Sequence, residues 1–141
     1  MTVTDNYKRV TTFILAFTIA CALGAGIYYF WPTTAPATVV HSHYFTEYQH
    51  NLVKRFVMMR QGATHLPPTI GLISFPSFHV IGAVLFILLC WKNKILRIPV
   101  LALNMLLIYS TLALGYHYMA DVLAGTIIAA FSYYISSKVK T

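Results

Sequence analysis

The stretch Val10-Thr-Thr-Phe-Ile-Leu-Ala-Phe-Thr-Ile-Ala-Cys-Ala-Leu-Gly-Ala-Gly-Ile-Tyr-Tyr-Phe-Trp31 decides what kind of protein this is. It holds no charged residue. At 1.5 Å per residue it is long enough to cross a hydrocarbon core of about 30 Å as a helix. Lys8 and Arg9 stand just before it, and Tyr28, Tyr29, Phe30 and Trp31 cluster at its far end. Basic and aromatic ends of this kind anchor a helix at the two headgroup levels. A signal peptide has a similar basic start, apolar middle and small residues, here near Gly24. The length of the run and its aromatic end favour a permanent anchor.

The rest of the chain is written for the same solvent. Of its 141 residues 58% are hydrophobic and 9% charged, against about 25% charged in a soluble domain. In water so apolar a chain would expose patches that aggregate. Further apolar runs cover about 69–91, 98–114 and 118–135. The expected architecture is therefore a single all-α integral membrane domain, residues 1–141, with about four transmembrane helices. Pro76 and Ser77 interrupt the second run, so Pro76 is expected close to a helix N-terminus, with 71–75 leading in. Residues 32–66 form a polar connector opened by Pro32 and Pro36. Inside it, residues 50–60 place Leu52, Val53, Phe56, Val57 and Met59 at the spacing of a short helix lying on the membrane surface. Gly62 is expected to end that helix.

The net charge of +7 resembles a nucleic-acid signal until the charges are placed. Lys8 and Arg9, Lys54, Arg55 and Arg60, Lys92, Lys94 and Arg97, and Lys138 and Lys140 fall in clusters, most of them flanking apolar runs. Such clusters face anionic lipid rather than DNA or RNA, so no nucleic-acid partner is expected. The positive-inside rule puts both termini and the 92–97 loop in the cytoplasm. The connector, residues 76–79 and residues 115–121 then share the outer face. Cys21 and Cys90 read as small core residues and form no disulfide framework.

Three ionisable residues lie in or at the ends of the runs: His79, His117 and Asp121. Ionisable groups are costly in lipid and mark function there. His117 and Asp121 are four apart, on one face of a helix. A carboxylate so placed can accept the imidazole N–H, set its tautomer and raise its basicity. His79, two residues after Ser77, falls in the first turn of its helix, where free backbone N–H groups and the helix dipole favour an anion. Bland readings stand beside this one, a wetted interfacial histidine at 79 and a structural His–Asp pair. Haem ligation by His79 and His117 would leave Asp121 unexplained. Zinc would need a third ligand from His41, His43, His50 or His65, whose spacing is irregular. Neither a cofactor nor a metal is therefore expected. Asn104, in the middle of the third run, reads as a hydrogen-bonding residue between helices.

The segment Gly71-Leu-Ile-Ser-Phe-Pro-Ser-Phe-His79 resembles the second signature of the type 2 phosphatidic acid phosphatase (PAP2) superfamily, Pro-Ser-x-His. Gly115-Tyr-His-Tyr-Met-Ala-Asp-Val-Leu-Ala-Gly125 resembles its third, Gly-x-His-x-x-x-Asp followed by a small-residue helix. With Arg60-Gln-Gly62 upstream, the chain is most similar to the branch containing inositol phosphorylceramide synthases and related bacterial proteins. The resemblance covers roughly 28–137. It implies a lipid phosphatase or head-group phosphotransferase acting on a lipid phosphate or phospholipid at the outer leaflet. By the same resemblance His117 attacks phosphorus, Asp121 orients it, His79 protonates the leaving alcohol, Ser77 helps hold phosphate oxygens and Arg60 clamps the phosphate. Attack, charge neutralisation and leaving-group protonation are what phosphoryl transfer needs.

The chain departs from the phosphatase branch in three places. No first signature with a Lys and an Arg at the usual spacing is present; Lys54, Arg55 and Arg60 stand in only partly. Ser110-Thr111 replaces the Ser-Arg that precedes the third signature. Phe78 replaces the usual Gly between Ser and His. Members also have about six helices, so this chain reads as a short member, a truncated one, or one completed as a homo-oligomer. A non-catalytic subunit that keeps the fold is the rival expectation.

Overall fold

The computed structural model describes residues 3–40, 42–63, 65 and 74–139, the side chains of residues 3–5, 50 and 53 excepted. Among these the chain is all-helical, with α1 (Val3–Phe30), α2 (Pro36–Val39), α3 (Glu47–Arg60), α4 (Phe78–Cys90), α5 (Arg97–Ala113) and α6 (Met119–Lys138). Two helices are long and apolar enough to cross a membrane, Asn6–Phe30 within α1 and Met119–Lys138. The apolar helices α4 and α5 are shorter, 13 and 17 residues, or about 20 and 25 Å. The helical part of the second run begins only at Phe78. Its expected start at Thr69 and its lead-in from Gly71 lie outside the described residues. Ser77 takes the N-cap with its hydroxyl accepting from the Val80 N–H at 3.3 Å, so Pro76 stands one residue before the cap, close to the helix start as expected.

Small residues set how the helices pack. Ala16 and Ala20 of α1 are fully buried against Ile81 and Leu85 of α4 and Ile128 and Ala129 of α6, a close approach that suits helices in lipid. Gly24, near the end of α1, faces Phe78 at the start of α4, so α1 runs antiparallel to α4. Gly125 of α6 faces the Ser77 carbonyl and Val80, so α6 starts beside the start of α4. Helix α5 packs on α4. Large apolar side chains point outward instead of inward: Ile98, Leu103, Leu106 and Tyr109 on α5, and Leu123, Ile127 and Phe131 on α6. That inverted pattern is the one lipid favours.

The connector is more structured than expected. Helix α3 starts at Glu47, not His50, because Thr46 and Gln49 form a reciprocal capping box, satisfying two donors that a helix start leaves bare. It ends at Gly62, whose φ of +76° is the left-handed turn that glycine supplies freely. The one-turn α2 was not expected. Both are tied to the turn between α5 and α6. The Ala37 N–H donates to the Gly115 carbonyl at 3.0 Å, and the buried Gln49 amide donates to the Leu114 carbonyl at 2.7 Å. Gly115 has φ +68°, and the Phe45 ring fills the space that a Cβ there would need. The end of α1, the starts of α4 and α6, the end of α5 and the α2–α3 connector thus gather at one end of the bundle.

Candidate active site

Ser77 caps α4, which places His79 as its second residue. Asp121 is the third residue of α6, and His117 lies in the turn just before that helix. The two helix starts are joined by a backbone bond from the Ser77 N–H to the Asp121 carbonyl, 3.2 Å. This junction brings the imidazoles together. His79 Nδ1 lies 3.4 Å from His117 Nε2, with ring centroids 5.6 Å apart and planes at 64°.

His117 is buried, and its Nδ1 faces two acceptors: the Ser74 carbonyl at 2.9 Å and the Asp121 carboxylate at 3.4 Å. A nitrogen between two acceptors carries the proton. The lone pair of neutral His117 therefore sits on Nε2, the nitrogen turned towards His79. Asp121, also buried, has one oxygen that accepts from the Ser74 hydroxyl at 2.9 Å and from the Tyr118 N–H at 2.7 Å. It secures the start of α6 and the Ser74 loop at once, and Ser74 links it to the imidazole.

A cavity of about 400 Å³ opens from this cluster. Its walls include Leu52 and Phe56 from α3, Leu107 and Leu114 at the end of α5, and the hydroxyls of Ser110 and Thr111. No Lys or Arg is among its described lining residues. Ser77 is fully buried. Its N–H and its hydroxyl lone pair already serve the two helix starts, which leaves only the hydroxyl hydrogen to offer. Arg60 lies elsewhere. It lines a neighbouring cavity of about 300 Å³ with Tyr28, Tyr29 and Met59, and Phe56 is the residue common to both cavities.

A family model described as PAP2 superfamily matches residues 1–135. The chain belongs to the PAP2 superfamily. The match takes in α1, beyond the stretch over which the two signatures were read. No curated protein and no solved structure matches the chain. PAP2 superfamily chemistry is of the phosphatase or phosphotransferase type, and with the two long apolar helices it makes this a membrane protein.

Two residues that build this PAP2 superfamily site, Ser74 and Thr33, gave no sequence signal of their own. Ser74 bridges His117 and Asp121. Thr33 accepts the Phe75 N–H at 3.0 Å through its hydroxyl, fixing the loop that carries the Ser74 carbonyl. Phe78, the departure from the usual Gly, has its ring over Gly24, where a Cβ would come within 2.8 Å of the ring. The bulk added to the motif is received by a glycine on α1. Among the described residues no three His, Cys, Asp or Glu side chains group as a metal would require; His41 and the His50 side chain lie outside them. The imidazoles of His79 and His117 touch directly, with no gap between them for a macrocycle.

Proposed function

We propose that this chain is a membrane phosphoryl-transfer enzyme acting on a lipid phosphate or phosphate-linked head group through a phosphohistidine at His117. The observation that carries the proposal is the asymmetric imidazole pair lining the 400 Å³ cavity, with His117 Nδ1 engaged and Nε2 turned to His79. In the first step the Nε2 lone pair forms a bond to phosphorus and the bond from phosphorus to the leaving oxygen breaks. His79 gives that oxygen its proton. In the second step water or an alcohol attacks phosphorus, gives its proton to His79, and the P–N bond breaks. The imidazole gains positive charge as the P–N bond forms, and the Asp121 carboxylate and Ser74 carbonyl beside Nδ1 stabilise it there. The apolar walls at Leu52, Phe56, Leu107 and Leu114 suit the hydrocarbon of a lipid substrate.

The placement proposed with it has α4 and α5 crossing the membrane beside α1 and α6, both termini in the cytoplasm and the site at the outer leaflet. The branch resembling inositol phosphorylceramide synthases, with a head-group acceptor, is the finer version of the same proposal. Arg60 lines the neighbouring cavity, which shares Phe56 with the paired-histidine cavity.

One observation favours a second reading. A site whose described lining holds no Lys or Arg is short of the charge neutralisation that a phosphoryl dianion needs, as a non-catalytic PAP2-like subunit would be. The test is release of phosphate, or transfer of the head group, from dioleoyl phosphatidic acid and a panel of phospholipids, beside His117→Ala. The expected result is turnover by the wild type with an acid-labile phosphoprotein, both lost in the variant. Turnover surviving His117→Ala ends the phosphohistidine mechanism, and no turnover with any substrate favours the subunit.

A further inference from the structure

The Arg60 cavity has one property that the described lining of the paired-histidine cavity lacks, an arginine. It carries a cation: the exposed Arg60 guanidinium lies 5.8 Å over the Phe56 ring, and among the described residues no carboxylate pairs with it. Glu47 is at the opposite end of the same helix, and Asp121 is buried within its own network. The cavity carries phenols as well. Tyr28 and Tyr29 form its α1 wall. It also lies at the aromatic end of α1, where Tyr29, Phe30 and Trp31 are exposed. Aromatic rings cluster so at the headgroup level of a bilayer.

We propose that this cavity is a second anion site, one that docks the phosphate of an anionic lipid headgroup apart from the reacting histidines, with Phe56 as the wall between the two stations. The inference deepens the proposed function and rests on its placement of this end of the bundle at the headgroups. The chemistry fits a phosphate with hydrocarbon attached. A guanidinium offers a fork of N–H donors to two phosphate oxygens, and the exposed Tyr29 phenol supplies a further donor. Met59 and the rings of Phe56 and Tyr29 supply apolar surface for the glycerol and the first methylenes. About 300 Å³ is at the small end of ligand cavities, the size of a headgroup and not of a whole lipid. A free phosphate shares the anionic chemistry but has no use for the apolar walls.

The test reads binding, and His117→Ala, which the proposed mechanism leaves without turnover, is titrated beside the wild type. The full chain is placed in nanodiscs of phosphatidylcholine in a Trp91→Phe background, leaving Trp31, beside this cavity, as the only tryptophan. Phosphatidic acid brominated on its acyl chain is titrated, with brominated phosphatidylcholine in a parallel series. Trp31 quenching is expected to saturate at a much lower fraction of the phosphatidic acid. Arg60→Gln is expected to raise the half-saturating fraction about tenfold, equivalent to about 1.4 kcal/mol, while Arg60→Lys retains part of the preference. His117→Ala is expected to titrate as the wild type does.

Equal quenching by the two lipids, or an unchanged titration in Arg60→Gln, overturns the proposal. Displacement by inorganic phosphate at matching concentration overturns the lipid headgroup as occupant. The two ideas fail separately. A chain that shows Arg60-dependent quenching but no turnover keeps this site and loses the enzyme, and an active chain without that quenching does the reverse.

Discussion

Gly125→Ala tests whether the packing of two helix starts sets the reactivity of the imidazole pair. A Cβ built on Gly125 would lie 2.7 Å from the Ser77 carbonyl oxygen and 3.2 Å from Val80 Cβ. The oxygen belongs to the backbone at the α4 cap and cannot rotate away. To restore an ordinary contact of 3.4 Å the start of α4 must retreat from α6 by about 0.7 Å. Overpacking of this kind costs about 1–3 kcal/mol of stability. The functional cost is larger, because the same junction sets the 3.4 Å between His79 and His117. A misplacement on the order of 1 Å can cost about a hundredfold in rate. Gly125→Ala is therefore expected to lower turnover of phosphatidic acid about ten- to a hundredfold and to lower the midpoint of thermal unfolding in detergent. Gly26→Ala and Gly82→Ala serve as controls, since among the described residues nothing lies within 4 Å of a Cβ at either position. They are expected to leave turnover unchanged and to add up to about 1 kcal/mol of helix stability. The reasoning is refuted if Gly125→Ala stays within twofold of wild type in rate with an unchanged midpoint, or if Gly82→Ala is equally harmful.

Two further outcomes follow from the same geometry. Ser74→Ala removes the hydroxyl donor from the buried Asp121 oxygen, a loss of about 1–3 kcal/mol. It is expected to slow formation of the phosphoprotein about tenfold or more in single-turnover experiments with little change in KM; an equal effect on KM and kcat would make Ser74 a purely structural residue. In a background without Cys21 and Cys90, a cysteine at Ser42 is expected to react with an impermeant outer-face thiol reagent and one at Lys94 to be protected; the reverse pattern inverts the proposed orientation.

The helices that the sequence reveals are those with a long apolar period. Helices α1, α5 and α6 fall within a few residues of the apolar runs on which they were expected, apart from the polar first turns of α1. Helix α3 begins a turn early because its start signal, Thr46 with Gln49, lies among polar residues with no apolar spacing. A one-turn helix such as α2 is too short to show a period at all. His79, His117 and Asp121 stand out because charge-bearing residues are rare in apolar runs. Ser74 cannot be read in the same way. Its value comes from a loop closing over His117, a tertiary event that leaves no mark on neighbouring residues. The same limit applies to Phe78, visible as a departure but explained only by Gly24 across the bundle. It applies also to Arg60, whose place in the sequence does not tell which side of Phe56 its guanidinium takes.

The contact that makes the histidine pair visible is also one that catalysis must break. The lone pair of His117 Nε2 points along the line now held by His79 Nδ1, and 3.4 Å between the two nitrogens leaves no room for phosphorus. One ring must leave that line when a phosphate enters, and the two are not equally free to do so. His117 is buried and held at Nδ1 by the Ser74 carbonyl and Asp121. His79 is the more exposed ring, and among the described residues its side-chain partner is His117 itself. The mobile ring is therefore His79, which can swing to the leaving oxygen while His117 stays in line with phosphorus. Within the proposed mechanism this difference in support suits His117 as the fixed nucleophile and His79 as the acid that moves.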